Sequence, residues 1–348
     1  MKIAYVVPSL IRSGPIKVVA ALVAQLKQKH EIEIFYFKDR DDRELIDFDV
    51  PTTRITFFQR IDFDRFDIVH THTIKADGYL FFHKGDIRKA KTVSTLHNYA
   101  FHDLRMSYGV AKGTLIAFAW NIVTFRHDQL IALSQDAQKY YQQYWLNPRI
   151  DYAYNGIESV AQPMTKAAIE SDRINIGIIA SAGGINYRKG IDQVVRALAH
   201  LPQKYRLYVA GKETNESHLL RQLANDLKVD DRVFFVGYVS DMEDFIERMD
   251  LFVVASRSEG FPLSLQEIVR YHKPVVCSEL PVFKEIFTED EVVFFELENI
   301  ESLVAGIHQC FQNKEALSQK AYKRFVEHYT SEHMAKKYES IYKGLIHG

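Results

Sequence analysis

The sequence predicts an α/β protein made of two successive halves, each a parallel sheet with helices on both faces. Short apolar runs of strand type alternate with helical segments along the chain, which is typical of βαβ units. An apolar strand at residues 2–7 enters the loop Ser13-Gly14-Pro15, and a second one at 174–180 enters a loop with Gly183-Gly184. This repeated opening predicts two α/β domains.

Length and composition agree with that class. The chain has 348 residues, enough for two domains that each bury a core. Hydrophobic residues make up 47% and charged residues 26%, as in globular proteins, and the net charge of −1 argues against a nucleic-acid partner. Cys277 and Cys310 fit a reducing compartment, and we see neither a signal peptide nor a membrane span. We therefore expect a cytoplasmic protein.

The first half has one clear helix at residues 16–29, with Val18, Val19, Leu22 and Leu26 on its apolar face. A charged segment at 38–49 is predicted to be a surface connection. Strands are predicted at residues 2–7, 31–37, 67–70, 92–96, 129–133 and 152–154.

The second half follows a polar, irregular linker at 159–171. A helix is predicted at 191–201, and further helices complete the chain. Strands are predicted at residues 174–180, 207–210, 233–236, 250–255 and 274–277.

The chain is organised around the stretch 250–285, in which a strand, a loop and a helix follow one another. The loop carries Glu259 and Gly260, and Ser264 is predicted to open the helix, which contains Glu267. A strand end followed by a helix start is typical of an anion site, because backbone N–H groups and the helix dipole point at the ligand. Each glutamate alone has a simpler explanation. Ser264 and Glu267 fit a capping box, and Glu259 fits a solvated loop acid.

Three further features follow predicted strands. Arg188 and Lys189 precede Gly190 at a helix start, where two cations suit a diphosphate, although a pair of surface charges would look the same. His72 and His97 end two strands, and they lack the Cys or third His of a metal site. No dinucleotide fingerprint and no phosphate-binding P-loop is present.

The stretch SRSEGFPLSLQEIV followed by KPVVCSELPVFKE closely resembles the glutamate–seven–glutamate region of the retaining glycosyltransferases of family four. SGP-x-KVV, HTH, TLHN, YNGI and RKG occur in the order found in that family. The resemblance implies the GT-B fold, with two Rossmann-like domains facing each other across a cleft. Residues 1–157, with a returning helix at roughly 332–348, would form the acceptor-binding domain. Residues 158–331 would form the nucleotide-sugar-binding domain.

The resemblance also implies roles for individual residues. Glu259 would contact the donor sugar and Glu267 the ribose, while Arg188 and Lys189 would neutralise the diphosphate. His97, with His72 on the acceptor side, would lie near the anomeric carbon. The remaining donor-binding positions are Gly14 over the phosphates, Gly237, Tyr238 and Val239 along the base, and Phe261, Pro262, Leu263 and Ser264 as a backbone cradle.

The implied reaction is transfer with retention of anomeric configuration from a nucleotide sugar, which we expect to be a UDP-sugar, without a metal or other cofactor. The departing phosphate oxygen would take the acceptor proton, so no nucleophile is assigned. One departure concerns Gly183, which stands where the family usually has an arginine. One diphosphate cation is therefore absent or supplied from elsewhere.

Other functions stay open at this point. The same fold could serve a nucleotide-sugar epimerase or a non-catalytic subunit that binds a ligand or partner. A dehydrogenase is disfavoured by the missing fingerprint. The acceptor is expected to be a lipid-linked or growing surface glycan, as in many relatives. The apolar helix at 110–125 favours a core position, with Ala117, Asn121 and Thr124 on its remaining side. Its flanking cations Arg105, Lys112 and Arg126 also allow peripheral contact with the inner membrane surface.

Overall fold

A computed structural model describes residues 1–38, 45–160, 172–180 and 184–348. The chain divides into two compact units. Unit 1 comprises Met1–Glu158 and Thr330–Gly348, and unit 2 comprises Ser159–Tyr329. The expected boundaries, after residues 157 and 331, lie close to these. Parts of the predicted connection at 38–49 and of the linker at 159–171 fall outside the described residues, as does Gly183.

Unit 1 contains a parallel sheet whose order, within the described residues, is β3-β2-β1-β4-β5-β6-β7. This confirms the predicted α/β class, because each neighbouring pair is parallel. The strands are β1 (Lys2–Val7), β2 (Glu31–Tyr36), β3 (Thr52–Arg54), β4 (Ile68–His72), β5 (Lys91–Leu96), β6 (Gln129–Ala132) and β7 (Ile150–Tyr152).

The helices of unit 1 that precede the second sheet are α1 (Gly14–Leu26), α2 (Ile74–His83), α3 (Ala100–Tyr108), α4 (Val110–Thr124) and α5 (Gln135–Tyr144). Helix α1 buries the predicted apolar face, with Val18, Val19, Leu22 and Leu26. It begins two residues before the predicted start, because Pro15 fits the first turn, where an N–H has no partner within the helix. It also ends earlier than predicted, at Leu26.

Helix α4 exposes much of the apolar side that was expected to lie in the core, and it buries the opposite side. Its buried residues are Gly113, Ala117, Trp120, Asn121 and Thr124. Polar bonds hold this side: the Asn121 amide donates to the Tyr144 carbonyl at 2.9 Å, and the Trp145 indole donates to the Thr124 hydroxyl at 2.7 Å. A side chain at Gly113 would lie 2.4 Å from the Leu104 carbonyl oxygen, so glycine lets α3 approach closely.

Unit 2 contains a second parallel sheet with the order β10-β9-β8-β11-β12-β13 among the described residues. The strands are β8 (Ile174–Ile179), β9 (Tyr205–Ala210), β10 (Val233–Gly237), β11 (Leu251–Val254), β12 (Val275–Ser278) and β13 (Val293–Phe295). The helices are α6 (Ile191–His200), α7 (Asn215–Asp226), α8 (Met242–Glu247), α9 (Leu263–Val269), α10 (Pro281–Ile286), α11 (Ile300–Gln312) and α12 (Lys314–His328).

The last helix, α13 (Ser331–His347), belongs to unit 1 and packs against α1. Its Tyr338 and Tyr342 are fully buried. A peripheral contact joins His30 to Glu339 at 3.1 Å. None of the helices in the described parts of the chain is both long and apolar enough to cross a bilayer.

Candidate functional site

The candidate donor site lies in two loops of unit 2. Strand β8 leads to the turn Tyr187–Lys189, which precedes α6, and β11 leads to the loop that precedes α9. The two strands are parallel neighbours in the sheet. Their following loops therefore leave the sheet at the same edge, where open α/β sheets bind ligands.

An ion pair joins these loops. The Lys189 ammonium donates to Oε1 of Glu259 at 2.6 Å, and the Ser256 hydroxyl donates to the same oxygen at 2.8 Å. Both charged residues are only 7% exposed. Burial opposes ionisation of Glu259, but the charges of Lys189 and Arg188 outweigh it and lower its pKa. Glu259 is therefore an ionised, buried carboxylate and not a solvated loop acid.

Gly190 allows the two loops to approach. Its φ of +62° is in the left-handed region that favours glycine. A Cβ at this position would lie 1.9 Å from the carbonyl oxygen of Ala255, which follows β11. Any other residue would push the turn away from the loop. The glycine of the RKG turn therefore brings Lys189 within reach of Glu259.

Helix α9 begins differently from the prediction. Its N-cap is Pro262, and the cap side chain makes no hydrogen bond, so Ser264 lies inside the first turn and does not open the helix. The capping box of Ser264 and Glu267 is therefore not formed. Glu267 is half-buried on this helix, while Phe261, Pro262 and Ser264 are buried and Leu263 is half-buried beside the loop of Glu259.

The expected base contacts lie further along the sheet. Gly237 ends β10 with a φ of +72°, the following Tyr238 is exposed, and Val239 is half-buried. Strand β10 is separated from β8 by β9. The structure thus places Gly237 at the end of β10 and Tyr238 and Val239 directly after it, two strands away from β8, the strand that leads to the Lys189 turn. Their contact with a base stays a prediction.

Unit 1 brings together His72, the last residue of β4, and His97, which directly follows the neighbouring strand β5. Nδ1 of His72 lies 2.8 Å from Nε2 of His97. Burial lowers the pKa of His97 to about 3, and burial followed by the charges of His70 and His97 lowers the pKa of His72. Both rings are therefore neutral. His72 is fully buried and His97 half-buried, so of the two rings His97 is the more accessible to a ligand. The acceptor-side role of both residues stays a prediction.

The last helix contributes residues that the sequence analysis missed. Nδ1 of His70 lies 2.6 Å from the Tyr342 hydroxyl, and Nε2 of His70 lies 2.8 Å from the Thr95 hydroxyl. Tyr338 contacts Thr95 at 3.1 Å. The tyrosines are four residues apart on one helix face, a spacing that could have indicated a shared buried partner.

The remaining expectations have simple outcomes. Gly14 is the first residue of α1, and the space where a Cβ would point is open. Gly183 lies outside the described residues. In the described ranges, no group of three or more metal-ligating side chains is found. The absence of a metal requirement stays a prediction.

The structure thus has two α/β units, each with its own parallel sheet, and a buried pair of Lys189 and Glu259 in the loops after two strands of the second. Residues 171–328 match the family described as Glycosyl transferases group 1, and residues 13–159 match Glycosyltransferase Family 4. The chain is 34% identical over 355 aligned residues to the O-antigen biosynthesis glycosyltransferase WclY of Escherichia coli, covering 99% of both chains. It belongs to the family-four glycosyltransferases, as the sequence resemblance implied.

Solved structures confirm the GT-B fold. Sucrose-phosphate synthase from Thermosynechococcus elongatus aligns with a TM-score of 0.82 at 16% identity, covering 100% of this chain and 99% of that one. Anabaena HepE in complex with UDP and glucose aligns with a TM-score of 0.79 at 17% identity, covering 99% and 100%. These findings support a transferase and favour neither the epimerase, the non-catalytic subunit nor the dehydrogenase.

Proposed function

We propose that this glycosyltransferase moves a sugar from a UDP-sugar to a lipid-linked or growing surface glycan with retention of anomeric configuration. The observation that carries the donor side is the buried pair of Lys189 and Glu259 between the loops after β8 and β11. The Escherichia coli relative named for O-antigen biosynthesis supports the acceptor class, and the Anabaena structure with UDP and glucose supports the nucleotide.

On the donor side, Lys189 and Arg188 supply positive charge for the diphosphate. Glu259 is ionised, so its carboxylate oxygens only accept hydrogen bonds. Sugar hydroxyls are donors that match this carboxylate. Glu267 binds the ribose in this proposal, and the residues after β10 bind the base. In this proposal the two residues have different roles: Lys189 binds the diphosphate leaving group, and Glu259 orients the sugar.

In the reaction, the bond between the anomeric carbon and the phosphate oxygen breaks while a bond from the acceptor oxygen forms on the same face. The acceptor proton passes to the departing phosphate oxygen. Negative charge grows on the diphosphate as the bond breaks, so fixed cations stabilise the transition state more than the ground state. The neutral His97 serves on the acceptor side, where an imidazole can donate one hydrogen bond and accept another.

The apolar surface of α4 supports a membrane-bound acceptor. We define it as Val110, Leu115, Phe118, Ile122 and Phe125, which are between 42% and 73% exposed. Arg105, Lys112 and Arg126 are exposed around it, and no acidic residue occurs between positions 104 and 127. Apolar side chains with a cationic rim match an anionic lipid surface. We propose that this surface rests on the membrane that carries the lipid-linked acceptor.

The proposed location is the inner face of that membrane. Cys277 and Cys310 are both free and buried, as is usual in a reducing compartment. Burial raises the pKa of Cys310 to about 12, so this thiol stays protonated and unreactive.

The membrane contact can be tested by replacing Leu115 and Phe118 together with serine. Binding to vesicles of phosphatidylglycerol and phosphatidylethanolamine should fall by about tenfold or more, because both side chains lose apolar area that the lipid would bury. Leu219→Ser is the matched control, since Leu219 is 70% exposed on α7 of unit 2. Co-sedimentation measures the binding. Equal binding of the Leu115/Phe118 variant and the control would contradict the contact.

The donor proposal predicts that UDP raises the melting temperature of the purified protein and that transfer continues in EDTA. A ligand that binds only the folded state stabilises it by about 2.7 kcal/mol at 100 times its dissociation constant. Uridine is the control for the diphosphate charge. A screen of UDP, GDP and ADP by thermal shift, followed by transfer assays with and without EDTA, measures both effects. Loss of transfer in EDTA that Mg²⁺ or Mn²⁺ restores would contradict metal independence.

A further inference from the structure

Arg257 lies in the loop of the donor site, two residues before Glu259. Its guanidinium binds the carboxylates of Asp192 and Glu298 and not Glu259. Its side chain is 8% exposed. Nη1 and Nη2 donate to the two carboxylate oxygens of Asp192, both at 2.8 Å. Nε and Nη2 donate to Glu298 at 2.6 and 3.1 Å. Arg257 is therefore held by a fork on each of two carboxylates.

Arg257 also forms hydrogen bonds to the turn that contains Arg188 and Lys189, the two proposed diphosphate-binding residues. Its backbone N–H donates to the Arg188 carbonyl at 2.8 Å, and its Nη1 donates to the Tyr187 carbonyl at 2.7 Å. The guanidinium also lies 3.8 Å from the centre of the Tyr187 ring. One arginine thus bonds to two consecutive carbonyls of the turn while its own backbone belongs to the loop of Glu259.

Because of these contacts, Arg257 does not substitute for the diphosphate-binding arginine that the family usually has at the position of Gly183. Two carboxylates already neutralise its charge, and each accepts two hydrogen bonds from it. Turning the guanidinium toward a diphosphate would leave Asp192 and Glu298 without this partner. Any effect of Arg257 on a bound diphosphate would therefore pass through the turn of Arg188 and Lys189, to which it is hydrogen-bonded.

We propose that Arg257 is a positioning residue of the donor site, which fixes the turn of Arg188 and Lys189 against the loop of Glu259. The inference rests on the proposed function, in which a UDP-sugar binds between these loops. Displacements of about 1 Å at a binding site slow an enzyme strongly. We call the hydrogen bonds of Arg257 to Asp192, Glu298 and the Tyr187–Lys189 turn the brace, and expect its loss to weaken donor binding. Lysine cannot replace the brace, because an ammonium has no planar fork.

The test is Arg257→Lys, which keeps the charge and removes the fork. We expect the affinity for UDP to fall about tenfold while the affinity for uridine stays unchanged, since only the diphosphate depends on the turn. KM for the UDP-sugar should rise about as much, with KM for the acceptor unchanged. Calorimetry well below the melting temperature measures the affinities. A role in stability alone would lower the melting temperature and leave the ratio of UDP to uridine affinity unchanged.

Arg248→Lys is the matched control. Arg248, which directly follows α8 in the same unit, forms a similar fork on Asp244 at 2.6 and 3.1 Å, and its side chain is 66% exposed. It should bind UDP like the wild type. Glu298→Gln removes the charge of one of the two carboxylates that Arg257 binds, so it should lower the UDP affinity by less than Arg257→Lys does. This variant provides the test if Arg257→Lys does not fold. An unchanged UDP-to-uridine ratio in both brace variants would overturn the inference. A wild-type protein that binds no nucleoside diphosphate would overturn the proposed function as well.

Discussion

Lys189→Ala should weaken UDP binding by about 1.5–3 kcal/mol, which corresponds to roughly 10- to 150-fold. This is the range for a hydrogen bond to a charged group. Transfer should slow by more than donor binding weakens, because the charge on the leaving diphosphate grows in the transition state. Calorimetry with UDP and steady-state rates measure the two effects.

The same variant should also destabilise unit 2. Glu259 would keep its buried charge without the ammonium 2.6 Å away, and breaking a buried pair from one side costs about 3–5 kcal/mol. Lys284→Ala is the control, since Lys284 pairs with Glu279 at the same 2.6 Å while both side chains are nearly half exposed. It should change neither stability nor UDP binding appreciably. Unchanged UDP affinity and an unchanged rate in Lys189→Ala would show that the buried pair has only a structural role and that the donor does not bind at this turn.

Glu259→Gln should reduce transfer by about 100-fold or more, because the neutral amide loses charge-assisted hydrogen bonds to the sugar. UDP affinity should change less, since the lysine holds the diphosphate. The sequence alone would predict an unaffected fold, as for an exposed loop acid. The observed burial reverses that expectation, and the melting temperature should fall because Lys189 is left as a buried, unpaired charge.

A double variant separates stability from activity. Replacing Lys189 by methionine together with Glu259→Gln removes both buried charges, so it should recover much of the stability that each single change loses. It should stay inactive, because neither the leaving group nor the sugar has its partner. Recovery of transfer along with stability would show that the pair has only a structural role. Glu279→Gln provides the exposed control for the glutamate change.

Sequence patterns predicted the central strands well and the short or unusual elements poorly. Strand β1 was predicted at its observed bounds, because a buried parallel strand is a continuous apolar run. Strands β3 and β13 have three residues each, too few to show a pattern. The prediction of which side of helix α4 is buried was wrong. The buried side is set by hydrogen bonds of Asn121 and Thr124 and by the close approach of α3 at Gly113.

The sequence predicted where Lys189 and Glu259 lie relative to the strands, but not that they contact each other. The motifs placed Lys189 and Glu259 after strands, but the two are separated by 70 positions, and only the sheet order brings their loops together. Arg257 carried no signal, because its partners Asp192 and Glu298 lie in distant segments. The contact of His70 with Tyr342 spans 272 positions and depends on the last helix returning to unit 1.

The anomeric configuration of the product tests the central claim most directly. The purified protein would be incubated with a panel of UDP-sugars and a lipid-linked glycan acceptor, and the new linkage would be assigned by nuclear magnetic resonance while released UDP is measured. We predict one UDP per glycosidic bond formed and the same anomeric configuration as in the donor. An inverted linkage, an epimerised nucleotide sugar without a glycosidic product, or no transfer from any nucleotide sugar would contradict the account.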